Sequence, residues 1–163
     1  MSDTLDTLEN LTYNELHEGD TATFTRTLTE KELILFAAVS GDFNPVHLDS
    51  EFAANSMFKE RIAHGMWSGS LISAALATVM PGPGTVYLDQ SLSFKRPVKL
   101  DDTLTVNLTV LRKDPKNRVI FQCNVTNQHN QKVVIGEAKV IAPTEKVSLY
   151  KPPLPKITIE GHD

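Results

Sequence analysis

Apolar and polar side chains alternate with period two along the C-terminal half of the chain. Leu104, Val106, Leu108 and Val110 form one such series, and Val119, Phe121, Cys123 and Val125 form a second. Val86, Leu88, Leu92 and Phe94 make a third, while Val133 to Val140 make a fourth in which the alternation is less clean. Each series predicts a strand with one apolar face. Turn-forming clusters at 97–102, Asp114-Pro115-Lys116-Asn117 and 127–131 separate them. A further β-prone stretch, Thr21 to Thr29, sets Ala22, Phe24, Arg26 and Leu28 between threonines.

From Met66 to Met80 the pattern changes. Trp67, Leu71, Ile72, Leu76 and Val79 stand among small residues, so the segment predicts a helix that is apolar on all sides and therefore buried. Pro81-Gly82-Pro83-Gly84 stops it. Strands with one apolar face need a cover, and this is the one long apolar candidate. The expectation is an α+β fold in which an antiparallel sheet wraps around a long central helix, although the pattern alone does not separate a helix inside the sheet from one lying on it. Two shorter helices complete the reading. Thr29 and Glu32 have the spacing of a capping box that opens a helix over Glu30 to Val39, delivering the chain to Gly41-Asp42. Asp49-Ser50-Glu51 begins another, which runs through Ala54 and closes at Asn55-Ser56.

Asp42 and His47 are the candidate chemistry. Pro45 pushes the residue before it out of the helical region, so the two side chains ride on a bent loop that can turn both toward one point. A carboxylate and an imidazole so placed suit two-site proton transfer to and from a bound water. The same residues also fit a plain Asx turn, in which Asp42 or Asn44 bonds its own backbone and His47 is an ordinary histidine. Gly65 falls at the start of the central helix, where amides without intrahelical partners favour a carbonyl oxygen that gains negative charge. His64 is expected to cap or pack that helix start.

The runs Phe36 to Asp49, Ala63-His64-Gly65-Met66 and Tyr87 to Val98 resemble the (R)-specific enoyl-CoA hydratase, or MaoC-like, family of hot-dog proteins, over roughly residues 12–142. The resemblance implies a single hot-dog domain. It also implies that Asp42 and His47 are the catalytic pair that holds the attacking water, that the Gly65 amide binds the thioester carbonyl, and that Ser73 is a helix serine lining that site. The implied reaction is (R)-specific hydration of trans-2-enoyl-CoA, and its reverse, with a coenzyme A thioester as substrate and no cofactor. His47 is the favoured base and Asp42 the proton donor or orienting partner, although a coupled pair need not divide so simply. Met57 and Phe58 read as part of a lid over the acyl chain. A thioesterase on the same scaffold and a non-catalytic acyl-CoA binding module are the alternatives.

Composition narrows the partners. The 163 residues carry 16 basic and 20 acidic side chains, a net charge of −4 with no basic cluster, which argues against nucleic acid. No stretch spans a membrane, the N-terminus lacks signal-peptide character, and a single cysteine, Cys123, fits a reducing compartment and reads as a core residue. These point to a cytoplasmic protein. No Cys/His array or helical His spacing suggests a metal. Residues 1–11 read as a loose arm and 143–163 as a proline-rich tail or linker. The tail is similar to the junction that joins MaoC-like domains to a phosphate acyltransferase. Hot-dog domains pair through sheet edges, so a homodimer is expected.

Overall fold

The computed structural model describes residues 6–162. Its elements in chain order are β1 (Thr7–Glu9), β2 (Thr21–Thr27), α1 (Glu30–Ser40), α2 (Pro45–Leu48), α3 (Ser50–Asn55), α4 (Gly65–Thr78), β3 (Val86–Gln90), β4 (Ser93–Phe94), β5 (Thr103–Asp114), β6 (Arg118–Thr126), β7 (Lys132–Ile141) and β8 (Ser148–Tyr150). The main sheet is antiparallel with order β2-β5-β6-β7-β3, and β4 adds to the same β7 edge. This sheet curls around α4 in the hot-dog arrangement.

The period-two series set the core directly. Val106 lies opposite Val125, Leu108 opposite Cys123 and Val110 opposite Phe121, so the inward rows of β5 and β6 match. They are buried together with Trp67, Ile72, Ala75 and Leu76 of α4. Such matched apolar rows bury area at about 25 cal/mol per Å², the main favourable contribution to folding. Burial also pushes the Cys123 thiol up to about 12, leaving it an inert core group. The uncleanness of the fourth series has two causes. The β6/β7 register shifts between Val125 and Thr126, and Gly136 interrupts the inward row of β7. A Cβ at 136 would overlap the Ser91 carbonyl oxygen, so only glycine fits there.

Three expectations are corrected. The third series is two strands rather than one, and three of its four apolar residues are exposed, Val86, Leu88 and Phe94 by 51%, 44% and 52%, while Leu92 is half-buried against the core. The central helix is buried on only part of its circumference, because Met66, Ser70, Ser73 and Ala77, spaced at helical repeat, face outward. Among the described residues, the exposed side chains of β3 and this helix stripe are left largely uncovered. Finally, the arm and the tail are paired with each other. β1 and β8 form a two-stranded antiparallel sheet, and the buried Asn10 side chain donates to Pro83 O (3.0 Å) and Glu145 O (2.9 Å) and accepts from Val147 N (3.0 Å). Residues 1–5 of the expected arm lie outside the described residues.

Candidate active site

The site segment is assembled by short-range caps. The α1 capping box forms as expected from Thr29 and Glu32. Gly41 then ends α1 in a left-handed conformation, φ 76°, which glycine adopts without strain. Ser40 Oγ accepts from Asp42 N at 3.2 Å, Asp42 Oδ1 from Asn44 N at 3.1 Å, and Asn44 Oδ1 from Val46 N at 3.2 Å. Pro45 does more than bend a loop. It occupies the first turn of α2, where its missing N–H is no loss, and Asn44 caps that helix. His47 is therefore carried on a short helix and Asp42 on the turn before it. Asp49 Oδ1 in turn accepts from Glu51 N and Phe52 N to open α3. Arg61 hydrogen-bonds Glu30 through both nitrogens, at 2.9 and 2.6 Å, tying the start of α1 to the chain entering α4. That contact holds the Glu30 carboxyl below its ordinary range.

Both readings of Asp42 are realised at once. One carboxylate oxygen makes the Asx turn, and the other, Oδ2, faces His47 Nε2 at 3.8 Å. That gap exceeds a direct hydrogen bond. Asp42 is half exposed while the His47 ring is buried. The other His47 nitrogen, Nδ1, sits 2.8 Å from Ile62 O. A carbonyl can only accept, so Nδ1 donates there, and Nε2 is the ring nitrogen turned toward Asp42.

His64 completes the cluster, a role that its sequence position at a helix start did not reveal. Its ring stacks on His47 with centroids 3.7 Å apart and packs against Phe36 at 5.1 Å. Its Nε2 lies 3.0 Å from Asp42 O, to which it donates, leaving Nδ1 buried without a partner among the described residues. It makes no side-chain cap on α4. Burial holds the His64 pKa below its ordinary value, against the Asp42 backbone bond, which raises it, while neighbouring His47 also lowers it.

One ring atom each of His47 and His64 and a carboxylate oxygen of Asp42 lie within 4.8 Å of one another, a donor set that invites a metal. The geometry does not fit one. Rings stacked at 26° direct their in-plane lone pairs along nearly parallel planes and do not converge on an ion about 2.0–2.1 Å from each nitrogen.

Gly65 opens α4 and lines a cavity of about 300 Å³ with His64, Ser68, Phe58 and Phe94. A Cβ at 65 would stand 3.0 Å from the Phe94 ring, so the glycine keeps the amide approachable. Asp42, His47, His64 and Gly65 are thus brought together around the start of α4. Ser73 is not brought to them within this chain. It lies eight residues along α4, about 12 Å by helical rise, on the exposed stripe. The helix serine that lines the Gly65 cavity is the buried Ser68, whose i+3 spacing from Gly65 was the available signal.

Known proteins bear on this arrangement. The MaoC like domain family matches residues 14–133. An (R)-specific enoyl-CoA hydratase of Rhodospirillum rubrum is 40% identical over 131 residues, which cover 80% of this chain and 91% of that protein. Another bearing the same name, from Aeromonas caviae, is 42% identical over 130 residues, 78% of this chain and 96% of that one. Among solved structures, an unliganded R-hydratase of Pseudomonas aeruginosa superposes with a TM-score of 0.91 at 57% identity, covering 94% of this chain and 99% of that one. No helix among the described residues is long and apolar enough to cross a membrane. By its sequence and its fold, the chain belongs to the MaoC-like family.

Proposed function

We propose that this protein is an (R)-specific enoyl-CoA hydratase, adding water across the double bond of trans-2-enoyl-CoA and catalysing the reverse dehydration. The observation that carries the reading is His47 Nε2 facing Asp42 Oδ2 across 3.8 Å beside the uncapped start of α4. Two acceptors at that spacing suit a single water that donates one hydrogen to each. The water oxygen is then left with its lone pairs directed at the substrate.

The thioester carbonyl oxygen rests on the Gly65 amide. As the water oxygen bonds to the β-carbon, His47 takes a proton, and electron density shifts through the α-carbon to the carbonyl oxygen. The amide and the positive end of the α4 dipole stabilise it there. A proton returns from the Asp42–His47 pair to the α-carbon, giving the 3-hydroxyacyl thioester with no cofactor beyond the coenzyme A carried by the substrate. The (R) hand follows the names of the relatives.

A homodimer is part of the same reading. The free edge of β3 with exposed Val86, Tyr87 and Leu88, beside the outward stripe of α4, supports pairing with a second copy. Ser73 serves as a binding residue only where such a second copy turns its surface into a cavity wall. Placement in the cytoplasm, and association with a phosphate acyltransferase, belong to the proposal as well.

The test is hydration of crotonyl-CoA followed by loss of enoyl absorbance, with chiral analysis of the product. (R)-3-hydroxybutyryl-CoA is expected. Release of free thiol from saturated acyl-CoA, without hydration, would make the protein a thioesterase instead.

A further inference from the structure

The cavity beside Gly65 is lined by two cations, Lys95 and Arg96, and by no carboxylate among the described residues. On a chain of net charge −4 this is a local reversal of sign. Nearby cations are neutralised: Arg61 pairs with Glu30, and Lys99 with Glu60. Lys95 and Arg96 have no ion-pair partner among the described residues, although both are exposed.

Their backbone is nonetheless fixed. The Lys95 and Arg96 amides donate to Val133 O at 2.8 and 3.4 Å, Arg96 Nη1 donates to Lys132 O at 2.8 Å, and Pro97 restricts the next step. Tying Arg96 through one nitrogen orients the guanidinium and leaves its other donors free. One cavity thus brings together an amide suited to a thioester oxygen, the rings of Phe58 and Phe94, and two unneutralised cations on a pinned strand end. A ligand matching that lining has a polar acyl end, a less polar arm and an anionic end.

We propose that Lys95 and Arg96 form a phosphate-binding rim that recognises the phosphates of the coenzyme A moiety. The inference rests on the hydratase reading for the orientation of the substrate, with the thioester inside and the nucleotide outside. Arg96 supplies directional donors to phosphate oxygens and Lys95 a point charge. Because the rim is exposed, its attraction is screened as ionic strength rises past the point where the Debye length is about 8–10 Å.

The experiment compares the parent with the Lys95→Ala/Arg96→Ala double variant on crotonyl-CoA and on crotonyl-pantetheine, which has the same reacting end and no phosphate. The variant is expected to raise KM for crotonyl-CoA about tenfold or more, the loss of roughly one charge-assisted contact. Its kcat should be little changed, its KM should depend less on salt, and its KM for crotonyl-pantetheine should equal the parent's. Equal changes in KM for both substrates, or none for either, would overturn the rim. Lys95→Glu, at a side chain with no hydrogen-bond partner among the described residues, gives the same readout if loss of Arg96 disturbs packing.

Calorimetric binding of free coenzyme A against pantetheine separates the two proposals. A parent that binds coenzyme A through these cations yet hydrates nothing keeps the rim and loses the hydratase. A parent that hydrates crotonyl-CoA with a KM indifferent to both substitutions does the reverse.

Discussion

Segment 41–49 is held by side-chain hydrogen bonds to backbone, and such bonds from Asn10 reinforce the strand pairing that clasps β1 to β8, but the two sets act over opposite ranges. In the first, Ser40, Asp42, Asn44 and Asp49 each bond an amide two or three positions away. In the second, Asn10 reaches Pro83, Glu145 and Val147, 73 to 137 positions away. Short-range bonds fix a direction for two side chains and add little to global stability. Long-range bonds close the chain on itself and have no view of the cavity. Chemistry and fastening are therefore separable in this molecule, and substitutions should sort accordingly.

The largest effect is expected in the site segment. Asp42→Asn or His47→Gln should lower crotonyl-CoA turnover ~10²–10⁴-fold, while the calorimetric Tm stays close to that of the parent. A large Tm loss in either variant would collapse the distinction, making 41–49 a fastening too.

His64 sharpens the comparison because it joins both roles. His64→Phe retains a ring against His47 and Phe36 but removes the bond to Asp42 O, so kcat should fall on the order of tenfold or more as the carboxylate loses its anchor. It also has a signature in pH. Folding lowers the His64 pKa, so the unfolded chain takes up a proton that the folded chain refuses. The stability contributed above the ordinary histidine value, about 6.5, is then lost as pH falls through the lower folded value. Tm measured from about pH 7 to pH 5 should fall for the parent, and less steeply for His64→Phe. Parallel curves would place the titration elsewhere.

The clasp gives the converse. Asn10→Ala strands the Pro83 and Glu145 carbonyls and the Val147 amide, and should cost about 1–3 kcal/mol with kcat unchanged. A drop in kcat would show that the clasp reaches the site through the 81–84 turn. The smallest effect belongs to Thr29→Ala, which removes the α1 cap and should cost about 1 kcal/mol in chemical denaturation.

What could be read from the sequence follows the same division by range. The capping box at Thr29, the helix start at Asp49 and the inward rows of β5 and β6 depend on residues within a turn or a repeat of one another, and their residue types announce them. Pairing of Thr7–Glu9 with Ser148–Tyr150 leaves no local mark, because each is only three residues long and pairs, among the described residues, with the other. Two site features were hidden for a related reason. His64 looks like a helix-start residue until α1 and α2 fold back to place Phe36 and His47 on its ring. Ser68 and Ser73 are chemically alike in the sequence, and only their spacing from Gly65 along α4 distinguishes them. The exposed apolar edge of β3 looked like a buried strand face because alternation records which residues are apolar, not what covers them.

Gly136 carries a consequence beyond its own strand. Because it has no side chain, the Ser91 carbonyl settles over β7, and three residues later the same backbone lays down Phe94, Lys95 and Arg96 at the cavity entrance. A single absent methyl group thus steers a doorway forty positions earlier in the chain. Alanine at 136 should leave the barrel-like wrap recognisable while throwing the threshold out of alignment, so that the injury surfaces as poor docking of the substrate's outer half.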